Sequence, residues 1–130
     1  MGPLIIGVFD MPFEIHITRE FSAAHRLRMY DGTLEPLHGH NWQVRVSVEA
    51  RELDRIGVVM DFHELERLVD AVVGPMHNRD LSSLPSFASR NPSAENVAAH
   101  IAQSLVLPSH IKLLSVAVWE TSQCCAVWKA

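Results

Sequence analysis

The chain has 130 residues, 48% of them hydrophobic and 20% charged, and carries a formal net charge of -4. That length suffices for one domain, residues 1–130, which buries roughly two thirds of its unfolded surface without disulfide staples. The acidic balance and the lack of a basic block exclude a phosphate-tracking nucleic-acid surface, and no apolar stretch is long enough to span a membrane, so the expected partner is a small molecule or a protein.

The opening MGPLIIGVFD is apolar, lacks a basic region ahead of it and is too short to cross a bilayer. It reads as an extra strand or a poorly ordered leader before Met11, and a cytoplasmic protein is the expectation. From Phe13 to Arg19 apolar and polar residues alternate, the pattern of a half-buried strand, and the pattern runs on into FSAAHRL. MYDGTLEP is rich in turn formers. Trp42 to Glu49 then alternates again, so the two segments are expected to pair antiparallel.

Asp61-Phe62-His63-Glu64 reads as a capping box, in which Asp61 accepts from the amide near Glu64 while Glu64 reaches back. Phe62, Leu65, Leu68, Val69 and Val72 form one apolar stripe, and Gly74-Pro75 ends the helix. A second helix opens after Asn91-Pro92 with Ser93 as its cap, carries Val97, Ile101 and Leu105, and stops before Pro108. Both stripes read as core packing. Leu113 to Trp119 and Cys125 to Trp128 form two last strands joined by Glu120-Thr121-Ser122-Gln123. The adjacent Cys124 and Cys125 cannot bridge each other as a long-range staple and read as reduced, with a reactive exposed thiol as the alternative. The order strand, strand, helix, helix, strand, strand gives an α+β domain: a four-stranded antiparallel sheet with two helices on one face.

Eight histidines invite a search for a site. In LHGHNW, His38 and His40 lie two apart on a strand and share a face, which fits surface histidines, core histidines or two ligands of one metal. Antiparallel pairing would bring His25 beside them. Three neutral imidazoles leave one position open on zinc, the arrangement of a catalytic site, and an open position lets the ion polarise a substrate oxygen. Asn41 and Gln43 are close enough in sequence to support such ligands.

FSAAHRL with LHGHNW, then MDFHELERLV, NPSAENVA and WETSQCCAVW, resembles the 6-pyruvoyltetrahydropterin synthase and 6-carboxytetrahydropterin synthase family over residues 13 to 128. The resemblance implies the tunnelling fold, in which four-stranded sheets join into a barrel as trimers stack into hexamers with sites at subunit interfaces. It implies Zn2+ on His25, His38 and His40, a lyase acting on 7,8-dihydroneopterin triphosphate, and a role in queuosine or folate and other pterin biosynthesis. It implies that Glu120, with Thr121 beside it, anchors the pterin ring, since a carboxylate can accept two parallel hydrogen bonds from the ring's amino group and adjacent N–H. From the residues alone Glu120 reads rather as a strand-end surface carboxylate. Ser93 and Glu95 match polar positions near the pterin, or simply cap the second helix.

Two family features are missing. The loop before HGH has no cysteine, and the positions of the usual Asp-His dyad hold His77 and Asn78. Glu35, giving ExxHGH, resembles a branch of the family in which glutamate replaces the cysteine and the substrate side chain is cleaved towards a hydroxymethylpterin. Acid-base work is therefore assigned to Glu35 and His77, with a solvated loop position as the other reading of Glu35. Two alternatives stand beside the lyase: a pterin- or purine-binding zinc protein of the same fold without turnover, and a cupin-type metal protein. Two strong helices suit the second poorly.

Overall fold

The computed structural model describes residues 13–130; the expectation for residues 1–11 lies outside the described residues. Two long strands open the chain, β1 (Phe13–His25) and β2 (His38–Ala50), followed by helix α1 (Phe62–Val73), the two-residue β3 (Arg79–Asp80), helix α2 (Ala94–Ser104), β4 (Lys112–Thr121) and β5 (Cys124–Lys129). Among the described residues no helix is long and apolar enough to cross a membrane.

The sheet has the order β3-β1-β2-β4-β5. Its four long strands pair antiparallel as the alternation predicts, with β1 against β2 from Phe13↔Ala50 to His25↔His38. The expectation of a purely antiparallel, four-stranded sheet is corrected by β3, which pairs parallel to the end of β1 through Ala23↔Arg79 and Ala24↔Asp80. Its cause is local. Asn78 takes a left-handed backbone (φ 59°), a conformation asparagine tolerates better than most residues, and its N–H donates to the Ser22 carbonyl at 2.6 Å. That turn lays the next two residues along β1.

Both helices cover one face of the sheet. Leu65, Val69 and Val73 of α1 and Val97, Ala98 and Ile101 of α2 are buried in one core with Ile17, Phe21, Val44, Val46, Val48, Val116 and Val118. The period-two pattern explains which strand residues enter it: odd positions of β1 and even positions of β2 face the helices. Ser93 caps α2 as expected, accepting from the Asn96 amide at 3.1 Å. At α1 the reciprocal capping box does not form. Asp61 accepts from His63 N at 3.0 Å, and Glu64 is drawn away by the Arg67 guanidinium one turn on, at 2.6 and 3.1 Å. Cys124 and Cys125 are both free and exposed.

Candidate functional site

Register and alternation together assemble the site. His38 opposes His25 directly across the β1–β2 ladder and His40 opposes Ala23, so all three imidazoles lie on the helix-facing side at the end of the two strands. One ring nitrogen from each lies within 4.8 Å of the other two. The ring centroids are 4.6 Å (His25–His38), 5.1 Å (His25–His40) and 4.9 Å (His38–His40) apart. Trp42, wholly buried, forms the floor, edge-on to His25 at 4.8 Å and to His40 at 5.5 Å, and its indole N–H donates to the Ala23 carbonyl at 3.1 Å.

The backbone sets the tautomers. His25 is 1% exposed, and its Nδ1 lies 2.7 Å from the Pro92 carbonyl; His38 Nδ1 lies 2.8 Å from the Pro36 carbonyl. A carbonyl only accepts, so each Nδ1 carries the hydrogen and each Nε2 is left with a lone pair. Nε2 of His25 and Nε2 of His40 are buried without a hydrogen-bond partner. A buried ring nitrogen left unpaired is costly until a hydrogen-bond donor or a cation meets it. Three converging imidazoles, two of them with the far nitrogen held by a carbonyl, are the donor set zinc takes, so these residues fit the ion. Burial pushes the His40 imidazole below the ordinary histidine range, and a proton on His25 or His38 would push the same way, while the Glu120 and Glu35 carboxylates pull it back up.

Glu120 enters from β4. It continues the helix-facing row of Val116 and Val118, and it falls at a bulge: β5 pairs Trp119↔Cys125 and then Thr121↔Cys124, leaving Glu120 unopposed. Bulges of this kind re-aim a side chain. Its Oε1 stands 3.2 Å from His25 Nε2, outside hydrogen-bond geometry, and its side chain is 30% exposed. Thr121 is exposed on the turn, where its hydroxyl accepts from Gln123 N at 3.3 Å.

The other sequence-predicted residues divide. Glu35 is half-buried, and its Oε1 accepts from Leu27 N at 2.9 Å while its own N–H donates to Leu27 O at 3.0 Å, which fastens the ExxHGH loop to the chain just beyond His25. Its charge reaches His40. His77 docks on the edge of β1, its Nδ1 accepting from Ser22 N at 3.1 Å. Ser93 spends its hydroxyl oxygen on the α2 cap, and Glu95 is exposed in the first turn. Asn41 does not support the ligands: on an odd position of β2 it faces the other side of the sheet and accepts from the Ser22 hydroxyl at 2.6 Å. Gln43 shares that alternation and is exposed. The groups that do hold the rings are the Pro36 and Pro92 carbonyls. Pro92 is kept in place by Asn91, whose side chain accepts from Arg28 N at 2.8 Å and donates to Arg28 O at 3.1 Å, and by Asn96, which donates to Asn91 O at 2.8 Å. The NP pair ahead of a helix cap was the one sequence signal available for this.

Comparisons with known proteins point one way. Residues 14–130 match the family model described as 6-pyruvoyl tetrahydropterin synthase. A dihydroneopterin monophosphate aldolase of Pyrococcus furiosus is 35% identical over 105 residues, covering 79% of this chain and 85% of that protein. Human 6-pyruvoyl tetrahydrobiopterin synthase is 32% identical over 125 residues, covering 84% of this chain and 86% of its own. The fold matches the Caenorhabditis elegans 6-pyruvoyl tetrahydropterin synthase structure at a TM-score of 0.76 and 24% identity, over 92% of this chain and 96% of that one.

Proposed function

This chain belongs to the 6-pyruvoyl tetrahydropterin synthase family, and from that premise we propose that it is a zinc-dependent lyase acting on a phosphorylated 7,8-dihydroneopterin. The observation that carries the reading is the convergence of His25, His38 and His40, with the rings of His25 and His38 oriented by two proline carbonyls. Bound there, zinc would supply Lewis acidity towards the hydroxyl oxygens of the substrate side chain. Glu120 holds the pterin through its amino group and adjacent N–H, which orients the side chain towards the histidines. Thr121 follows that anchor in the chain, and Ser93 and Glu95 at the start of α2 complete the pterin-binding set.

Glu35 is the base. In the cleaving reaction it takes the proton of the hydroxyl on the second side-chain carbon; the bond between the first and second carbons breaks, a two-carbon aldehyde bearing the phosphate departs, and a proton returns to the first carbon to give a hydroxymethylpterin. The similarity to the Pyrococcus aldolase favours this outcome over a carboxy- or pyruvoyl-pterin product. His77 stands ready as a relay from the edge of β1, its Nε2 hydrogen free because Nδ1 is occupied as an acceptor. The enzyme works in the cytoplasm as a homo-oligomer, a trimer or hexamer whose sheets close into a barrel, in a folate or queuosine route.

A second reading, a pterin- or purine-binding protein without turnover, draws on one observation: the Glu35 carboxylate already accepts from Leu27 N. Incubating the zinc-loaded chain with dihydroneopterin triphosphate and monophosphate, with products resolved by chromatography, separates the two. Hydroxymethylpterin from the wild type, lost in Glu35→Ala and in His40→Ala alike, is the result expected of the lyase. Tight pterin binding with no product would establish the second reading.

A further inference from the structure

Beyond the histidines, a cavity of about 590 Å³ opens between the loop after β1 and the loop before α2. It is lined by Arg26, Arg28 and Arg90 together with Ser82, Ser89 and Pro92, and none of its lining residues is a carboxylate. In a chain of net charge -4, three guanidinium groups around one opening with no acid among them form an uncompensated positive site. Their positions are built. Arg90 lies over the Phe87 ring, 5.8 Å from its centroid, and its Nε–H donates to Ser86 O at 3.3 Å; Arg28 donates from one terminal nitrogen to Gly32 O at 2.8 Å. Each of these contacts uses one donor of a guanidinium that has five, so the remaining forks are available to an anion. The side chain of Arg26 has no partner among the described residues, and its backbone N–H is held by the Ser82 hydroxyl at 3.2 Å.

The cavity adjoins the histidine site through two residues. Pro92 lines it while its carbonyl accepts from His25, and Arg26 directly follows His25 in the chain. We infer that this arginine cavity binds the phosphate-bearing end of the substrate, a phosphomonoester or oligophosphate, while the pterin end is held at Glu120. This rests on the reading of the chain as an enzyme of phosphorylated dihydroneopterin, but the anion site itself does not need that reading. Guanidinium forks match phosphate oxygens two at a time, and planar bidentate recognition is what distinguishes arginine from lysine here.

The test titrates the full chain with inorganic tripolyphosphate at fixed ionic strength, in wild type, Arg28→Gln, Arg90→Gln and, as a control for charge alone, Arg55→Gln. Saturable binding that weakens about tenfold in each cavity variant and stays unchanged in Arg55→Gln is expected, from the loss of one charge-assisted pair. Matching circular dichroism spectra show which variants are folded, and either cavity variant alone suffices. Unphosphorylated dihydroneopterin, titrated in parallel, should bind wild type and cavity variants equally; weakening there would overturn the division of the ligand between the two sites. No saturable tripolyphosphate binding to the wild type, or equal weakening by Arg55→Gln, would overturn the anion site. If tripolyphosphate binds as expected and no pterin binds at all, the functional reading fails while the anion site stands.

Discussion

One face of β2 carries His38, His40, Trp42, Val44, Val46, Val48 and Ala50 in order, and the two ends of that row do opposite work. At the valine end the side chains vanish into the core under α1 and α2, each wholly out of water, and what holds them is burial and close packing. At the histidine end the same alternation presents His38 and His40, and His40 Nε2, like His25 Nε2 on the facing strand, is buried without a hydrogen-bond partner, so a polar group is held in position without being satisfied. Trp42 divides the two, stacked on Phe21 at 5.9 Å towards the core and edge-on to His25 and His40 towards the site. A single strand can thus anchor a fold and display a ligand set, provided that the last well-packed residue is large and rigid enough to fix the first unsatisfied one.

The sharpest way to separate the two ends is to injure each alone. His25→Ala should take zinc content from about one per chain to near zero by metal analysis; in the metal-free protein it should cost only about 1–3 kcal/mol by denaturant unfolding, because the Pro92 carbonyl loses its buried donor. Leu65→Ala, under the valine end, should cost about 2–5 kcal/mol in the same unfolding measurement while zinc content in the folded protein stays at one. If His25→Ala unfolds the metal-free chain more than Leu65→Ala does, the ends are not separable.

Smaller effects probe the borders. Ser93→Ala removes the α2 cap next to Pro92 and should cost about 1 kcal/mol by thermal or chemical unfolding, with zinc affinity reduced only if the cap also steadies the Pro92 carbonyl. Smallest is the exposed pair His63–Glu66 at 2.9 Å on α1. The Glu66 hydrogen bond and charge hold the His63 imidazole above its ordinary range, with Asp61 adding to the effect. A folded-state value raised in this way contributes stability that is fully present below the unfolded histidine pKa and disappears as pH rises through the folded one. By NMR, Glu66→Gln should lower the His63 titration midpoint without moving any signal of the histidine site.

Much of this was legible in the residues. Period-two alternation identified β1 and β2, and the Ser93 cap of α2 is where the pattern puts it; the stripe in α1 holds at Leu65 and Val69, with Leu68 and Val72 packed at its border, but Phe62 in the first turn stays exposed and Val73 is buried in the last. The pairing that brings His25 to His38 followed from two alternating segments joined by turn formers. What escaped has physical reasons. β3 is only two residues long and depends on the backbone of Asn78 rather than on any hydrophobic pattern. The carbonyls of Pro36 and Pro92 are main-chain groups, which every residue has and no motif marks. Asn41 is near His40 in sequence but not in space, because the alternation that puts His38 and His40 on one face puts Asn41 on the other. Glu64 was expected to reach back to the cap, but an arginine one turn away offered it a better partner.

The unopposed Glu120 has an evolutionary corollary. Ser122-Gln123 already forms a two-residue turn, so deleting the single codon for Glu120 would leave Trp119↔Cys125 and Thr121↔Cys124 as consecutive rungs of an ordinary hairpin. Lineages of this fold could therefore lose the carboxylate by an in-frame deletion that the sheet hardly registers, exchanging an acid for a hydroxyl beside the histidines in one genetic step.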